Sequence, residues 1–193
     1  MPQNRIFTAV LRWFDSNAAV SSDAAGGSFD ILRCLPFIAI HLLCAGVIWV
    51  GWSWSAVAVA AALYVVRMFA ITGFYHRYFS HRAFRTSRPA QFVFAVLGNM
   101  AAQRGPLWWA AHHRHHHRHS DTHDDVHSPH AHSFFWSHVG WFISSRNFAT
   151  DLEAVPDLAR YPELRFLDRF DGLVPLLLAL VLYATGGWQW VVW

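Results

Sequence analysis

Two long apolar runs separated by only four residues constrain the fold of this chain more than any other feature. Residues 32–50 are almost entirely apolar, and residues 55–75 form a second apolar run with one charged side chain, Arg67. A helix of about 20 residues crosses the hydrocarbon core of a bilayer. Residues 51–54 are too few to cross it again, so they must form a tight turn. The sequence therefore predicts a transmembrane helical hairpin.

A third apolar run lies near the other end of the chain. Residues 173–185, together with residues 166–172 before them, are long enough for a third membrane-spanning helix. Gly186 and Gly187 predict a turn, and residues 188–193 after it would rise only about 9 Å as a helix. We therefore expect the printed chain to stop at the start of a fourth transmembrane helix. The predicted fold class is an all-α integral membrane protein.

The arginine residues predict which side of the membrane each segment occupies. All fifteen basic residues are arginine, eleven of them lie between residues 76 and 169, and the turn at residues 51–54 has none. Because positively charged loops stay on the cytoplasmic side, we expect the N-terminus and residues 76–169 to be cytoplasmic. The net charge of +3 is too small to indicate nucleic-acid binding.

The polarity of the remaining segments predicts a helical cap on the hairpin. Residues 1–30 are an N-terminal lead-in, either an amphipathic surface helix or a tail, and residues 31–193 are the main domain. Residues 91–107 are apolar but interrupted by polar residues, which predicts a helix or re-entrant segment against the inner membrane face. Residues 146–171 are charged and predict a solvated helical connector with two proline breaks.

A dense group of histidines occupies this predicted cap. Thirteen of the fourteen histidines lie between His76 and His138, and imidazole is a common ligand of iron, zinc, copper and nickel. A histidine-rich tract can also be an unspecific metal buffer or a cloning tag. This tract is internal and is broken by Arg, Asp, Trp and Ser residues, so it favours a defined metal site.

The spacing of the histidines indicates which of them can share a metal ion. His76 and His81 are separated by about 140° on a regular helix, so sharing requires the helix to end or unwind between them. His113 faces the same side as both His116 and His117. Those two adjacent residues diverge by about 100°, which favours two metal ions side by side. Spacing leaves open whether three further histidines are ligands and whether three aspartates orient imidazoles or only face solvent: His112, His115 and His119, and Asp121, Asp124 and Asp125.

Three motifs between residues 70 and 148 occur together: HRYFSHRAF, then Q-x5-W-x3-HRHHH with SDTHDDVH, then FFWSHVGW. They resemble the motifs of integral-membrane acyl-CoA desaturases of the stearoyl-CoA desaturase type, and a weaker similarity continues through YPELRFLDRF. The resemblance implies four transmembrane helices, cytosolic histidine boxes and a non-haem di-iron centre. It also implies that oxygen and two electrons introduce a cis double bond into a fatty acyl chain. The lysine-free composition favours a bacterial source.

The resemblance also implies roles for individual residues. The residues that match the two histidine boxes are the implied iron ligands: His76, His81, His113, His116 and His117. His115 falls at a variable position of the second box, and Gln103 and Trp109 match positions that line the acyl tunnel near its bend. The family's third histidine box, and a further histidine before it, have no counterpart in these 193 residues. We therefore expect residues 31–193 to be an incomplete desaturase domain that is inactive by itself.

The partners implied by the resemblance are an acyl-CoA or another acyl carrier, membrane lipid, and an electron donor. That donor would be a ferredoxin or a small haem protein with its reductase. A basic cytoplasmic face suits the phosphates of an acyl carrier. Two alternatives remain open: a histidine-box membrane hydroxylase or alkane monooxygenase, and a non-catalytic metal-binding membrane remnant. The SHVGW motif and the box spacing favour desaturation.

Overall fold

The computed structural model describes residues 5–18 and 29–193, and within these residues every regular element is a helix. The main helices in chain order are α1 (Arg5–Phe14), α2 (Ile31–Val50), α3 (Trp54–Ser80), α4 (Arg88–Asn99), α5 (Pro106–His119), α6 (Pro156–Ala159), α7 (Pro162–Arg169) and α8 (Leu173–Val192). Short helical segments at Trp136–Gly140, Trp141–Ile143 and Ser145–Asn147 lie between α5 and α6. By length and composition, α2, α3 and α8 are able to cross a membrane. The predicted all-α class, with a membrane hairpin and a third membrane helix, is confirmed.

The hairpin turns at Gly51, directly after α2. Its φ angle of +66° lies in the left-handed region that favours glycine. The Ser53 hydroxyl then accepts a hydrogen bond from the Ala56 N–H at 3.1 Å and caps the start of α3. Side chains near the turn are apolar and face outwards, with Trp49 80% and Trp54 78% exposed. Tryptophan is enriched at membrane interfaces, so this surface suits contact with lipid.

The third membrane helix differs from the prediction at its start and agrees with it at the glycine turn. Phe170 has φ and ψ of −109° and 50°, which are not helical. Residues 166–169 therefore belong to α7 and do not extend α8. Gly187 has a φ of +64° and breaks α8 at the predicted turn. The chain then folds back towards the hairpin, where the Trp193 indole N–H donates to the Gly51 carbonyl at 2.8 Å.

Helices α4 to α7, here called the cap, pack around the end of α3. The shared core contains Tyr75 and Phe79 from α3, Leu107 from α5 and Leu164 from α7, and all four side chains are fully buried. Aromatic and aliphatic side chains of this size stabilise a fold by about 1.5–3 kcal/mol each when buried. The cap therefore holds the end of α3 in a defined position.

The predicted single segment over residues 91–107 is instead two helices joined by a link. α4 ends at Asn99, whose side-chain amide donates to the Leu167 carbonyl at 3.2 Å. α5 starts at Pro106, because a proline ring is compatible with a first helical turn but not with a helix interior. The predicted connector is helical at α6 and α7, and its two prolines each begin a helix rather than break one. The expectation that it is solvated is wrong, because Leu158, Leu164 and Leu167 are buried in the core.

Part of the predicted lead-in is a helix that packs on α2. The Trp13 indole N–H donates to the Leu32 carbonyl at 2.8 Å. Three apolar side chains of α1 point away from that contact and are exposed: Phe7, Leu11 and Phe14. Residues 1–4 and 19–28 of the lead-in lie outside the described residues. The α1 contacts favour the surface-helix alternative over a tail for residues 5–14.

Candidate metal centre

Four of the five predicted ligands converge on one point. The ring nitrogens of His76, His81, His113 and His117 lie within 4.8 Å of one another. The Nε2 atom of His81 lies 3.1 Å from that of His76 and 3.2 Å from that of His113. The Nε2 atoms of His117 and His113 are 3.0 Å apart. We call these residues the four-histidine group, and an all-imidazole donor set of this kind suits a transition-metal ion.

A widened helix brings the first two histidines together. Residues Ala70–Ser80 of α3 form a π-helix, in which N–H groups donate to carbonyls five residues back. The His81 N–H donates to the His76 carbonyl at 3.1 Å in this pattern. Residues five apart therefore lie on the same face. The expectation that the helix must end or unwind between these histidines is confirmed, because the helix widens into a π-helix and ends at Ser80, just before His81.

The second pair comes from one face of α5. His113 and His117 are one turn apart, so both point towards the end of α3. Trp109 lies one turn before His113 and stacks on its ring, with a centroid distance of 4.7 Å and an interplanar angle of 24°. Burial, followed by the nearby imidazoles, lowers the pKa of His113 to about 3. The same causes lower the pKa of His81. Neutral imidazole is the form that binds metal.

His116, the fifth predicted ligand, lies outside the four-histidine group. Its Nδ1 atom is 2.8 Å from the Asp125 carboxylate, and its ring lies 5.2 Å from that of His127. Burial alone would raise the pKa of Asp125, but hydrogen bonds from His116 and from two backbone N–H groups lower it. The ionised carboxylate therefore accepts the Nδ1 proton and leaves Nε2 of His116 free to bind a ligand. As the spacing predicted, His116 and His117 have different partners.

The match to a protein family agrees with this geometry. A family model described as fatty acid desaturase matches residues 52–193, a range that contains all five predicted ligands. This chain belongs to the fatty acid desaturase family. The predicted assignment to lipid metabolism and to the oxidoreductases is thereby supported at the level of the family.

Curated relatives of this desaturase-family chain are named for different acyl substrates. It is 36% identical to an sn-1 stearoyl-lipid 9-desaturase of Anabaena variabilis over 147 residues, 74% of this chain and 53% of that protein. It is 35% identical to an acyl-CoA 5-desaturase of Anemone leveillei over 170 residues, 86% of this chain and 52% of that protein. A second sn-1 stearoyl-lipid 9-desaturase, from Synechocystis, is 31% identical and matches 99% of this chain and 61% of its own length. The chain spans about half the length of the curated relatives it matches.

A carboxylate that the sequence analysis missed holds the ligand-bearing helix of the desaturase chain in place. Asp168 of α7 accepts hydrogen bonds from the backbone N–H groups of Leu107 and Trp108 at 2.9 and 2.8 Å. These are first-turn N–H groups of α5, which have no partner within their own helix. Asp168 also accepts a hydrogen bond from the Thr150 hydroxyl at 2.7 Å. Burial raises the pKa of Asp168 to about 6 despite these donors.

An arginine inside the second histidine box fastens α5 to the end of the π-helix. Arg114 donates to the Phe79 and Ser80 carbonyls at 2.7 and 3.1 Å. It also forms an ion pair with Asp157 of α6 at 2.8 Å. Because these carbonyls come just before His81, the contact couples the positions of the two histidine boxes. Arg114 directly follows His113 in the sequence, but the spacing of the histidines gives no indication of this contact.

The remaining candidates of the desaturase chain lie around the group rather than within it. Gln103 lies in the exposed link between α4 and α5, whereas Trp109 packs directly on the four-histidine group. His112 stacks on Trp108 at 4.2 Å, and its Nδ1 atom lies 3.0 Å from the Trp108 carbonyl. The rings of His115 and His119 contact each other, with a centroid distance of 4.2 Å and a tilt of 32°. Asp124 is exposed, and Asp121 accepts a hydrogen bond from Ser128.

Proposed function

We propose that this chain forms part of an oxygen-dependent fatty acyl desaturase with a histidine-ligated di-iron centre. The observation that carries the proposal is the convergence of four imidazole nitrogens within 4.8 Å at the end of a membrane-length helix. In this proposal the four-histidine group holds one iron ion and His116 contributes to the second. The relatives are all named desaturases, which favours desaturation over the hydroxylase alternative.

In this proposal the protein side chains hold and orient the imidazole ligands, and the iron provides the oxidising chemistry. Removing hydrogen from an unactivated methylene requires an oxidant that side chains cannot provide, and iron with oxygen supplies that chemistry when bound. Asp125 holds His116 so that Nε2 faces away from the carboxylate. Trp109 fixes the ring of His113 by stacking. Such outer partners keep imidazole ligands in one tautomer and one orientation.

The proposed substrate is a long acyl chain that enters from the membrane. Trp109 lies beside both His113 and Tyr75, which suits an apolar wall next to the metal centre. Gln103 and Trp109 are proposed to line the acyl tunnel, and the carrier is either a lipid or coenzyme A. We propose that membrane lipid, a ferredoxin or small haem protein, and a reductase are the other partners. The arginine distribution supports a cytoplasmic position for the histidine boxes.

Cobalt binding tests the proposed first metal site. His117→Ala should weaken Co²⁺ binding by more than about tenfold, because loss of even an outer partner of a ligand typically costs about 10- to 100-fold. His119→Ala is the matched control on the same helix, because His119 contacts His115 away from the group. His116→Ala should leave the cobalt spectrum of the first site unchanged.

Product analysis tests the proposed reaction. The iron-loaded protein is supplied with oxygen, a reduced ferredoxin and either stearoyl-CoA or a stearoyl lipid, and the monounsaturated product is measured. Because the chain is expected to be inactive by itself, no product above a no-protein control should form, and product that is lost in His117→Ala but kept in His119→Ala would overturn that expectation. Equal metal affinity in His117→Ala and His119→Ala would contradict the proposed centre.

A further inference from the structure

A cavity of about 480 Å³ lies beside the metal centre and has no role in the proposed chemistry. It is open to solvent on one side and is lined by the end of α3, the segment at residues 82–86, α4, and residues 157–161 of α6 and the start of α7. We propose that this cavity binds the phosphate group of the acyl carrier, either a phospholipid headgroup or a soluble carrier such as coenzyme A. The acyl part of this inference rests on the proposed function, whereas the phosphate part rests on the cavity.

The lining of the cavity carries excess positive charge. Arg82, Arg85 and Arg160 line it, and its one lining carboxylate is Asp157. That carboxylate is already paired with two guanidinium groups, those of Arg82 and Arg114. Among the described residues, no carboxylate lies within ion-pair distance of Arg85 or Arg160. These two guanidinium groups are therefore available to an anion.

The geometry of these groups suits phosphate more than other anions. Guanidinium presents a planar fork of N–H donors that matches the oxygens of a phosphate. Arg160 is held in place, because it donates to the Tyr161 hydroxyl at 2.8 Å and lies 4.8 Å from the centre of that ring. Thr86 adds a hydroxyl to the lining. The pocket is concave and lined by ten residues, fewer than the roughly 20–30 residues that each partner contributes to a standard protein–protein interface.

The cavity is close to both the metal centre and the proposed membrane surface. Arg82 directly follows His81 of the four-histidine group, and Tyr78 of the lining precedes it by three residues. On the outer side, Phe84 and Phe92 expose 42% and 40% of their surface, and exposed aromatic side chains suit the membrane interface. A phosphate bound here would hold the carrier at that interface while its acyl chain extends towards the metal.

Direct binding measurements test the proposal without a requirement for turnover. The full chain is placed in nanodiscs of digalactosyldiacylglycerol, a lipid without phosphate, and is titrated with coenzyme A or with short-chain phosphatidylglycerol. Arg85→Gln and Arg160→Gln should each weaken binding of the recognised probe by at least about tenfold, since each substitution removes hydrogen bonds from a charged donor to the phosphate. Arg165→Gln is the matched control, because Arg165 is exposed on α7 and does not line the cavity.

Each outcome has a defined meaning. Arginine-dependent binding of coenzyme A supports a soluble carrier, and arginine-dependent binding of phosphatidylglycerol alone supports a lipid headgroup. The proposal is overturned if neither probe binds, or if the cavity variants bind as tightly as Arg165→Gln. It is also overturned if the cavity variants weaken only the binding of a ferredoxin, which would make this surface a protein interface.

The same samples separate this inference from the proposed function. Cobalt spectra of Arg85→Gln and Arg160→Gln should equal that of the unsubstituted chain, since neither residue contacts the four-histidine group. A normal spectrum also shows that the variants are folded. Phosphate binding without metal binding would support the phosphate site and refute the metal centre. Metal binding without phosphate binding would refute only the phosphate site.

Discussion

Replacing Asp168 with alanine should destabilise α5, the helix that carries His113 and His117. The carboxylate accepts the first-turn N–H groups of Leu107 and Trp108 and the hydroxyl of Thr150. Its side chain is almost completely buried, so water does not replace these bonds when the carboxylate is removed. The substitution leaves three donors without an acceptor inside the cap.

The expected magnitude follows from these bonds. Loss of a helix cap costs about 0.5–2 kcal/mol, and a buried donor left unpaired costs about 1–3 kcal/mol. Release of the buried charge offsets part of this loss, so we expect a net destabilisation of about 2–4 kcal/mol. For a chain of this size, that is a fall of about 5–15 °C in the melting temperature.

Asp168→Asn is the matched control for this prediction. Its amide oxygen still accepts both backbone N–H groups, and its NH₂ group can donate to the Thr150 oxygen. Thermal unfolding in detergent, followed by circular dichroism, should give a lower melting temperature for the alanine variant than for the unsubstituted chain and the asparagine variant. The alanine variant should also bind Co²⁺ more weakly, because α5 carries His113 and His117. Equal melting temperatures for the Ala and Asn variants would refute the capping role.

The pH dependence provides a second check on Asp168. Burial raises its pKa to about 6 in the folded chain, above the ordinary value of 3.8, so the folded state binds the proton more tightly than the unfolded state. The resulting stabilisation is complete below the unfolded pKa and is lost as pH rises through the folded pKa. Relative to Asp168→Asn, the unsubstituted chain should gain stability as pH falls from about 7 to about 4. A difference independent of pH would contradict the raised pKa.

Two further predictions concern packing and sidedness. Gly98→Ala should destabilise the fold by about 1–3 kcal/mol and weaken Co²⁺ binding, because the new Cβ atom would clash with the buried ring of Tyr75 beside the first histidine box. Gly73→Ala is the control, because the nearest atom to its new Cβ would be 3.4 Å away. Equal effects of the two substitutions would refute the packing argument. Ser55→Cys, in a chain without the native cysteines, should react with a membrane-impermeant maleimide from outside the cell, because the arginine-free turn precedes it. Reaction only after permeabilisation would reverse the proposed orientation.

Local patterns were sufficient for the membrane helices and for part of the metal centre. Long apolar runs and a four-residue turn predicted the hairpin, because membrane insertion depends on length and hydrophobicity that are read directly along the chain. The one-turn spacing of His113 and His117, and the divergence of His116 from its neighbour, also follow from regular helix geometry. These features depend only on residues close together in the sequence.

The tertiary structure determined the features that depend on distant contacts. His81 meets His76 because α3 widens into a π-helix, and that backbone pattern has no signature in the apolar periodicity of the run. Asp168 reaches α5 from 60 residues away, and Asp157 joins Arg82 to Arg114 across the cap. The sequence determined which residues could bind a metal, since side-chain chemistry and helical spacing are local properties. Only packing between helices determined which of them meet, because their final positions depend on partners far along the chain.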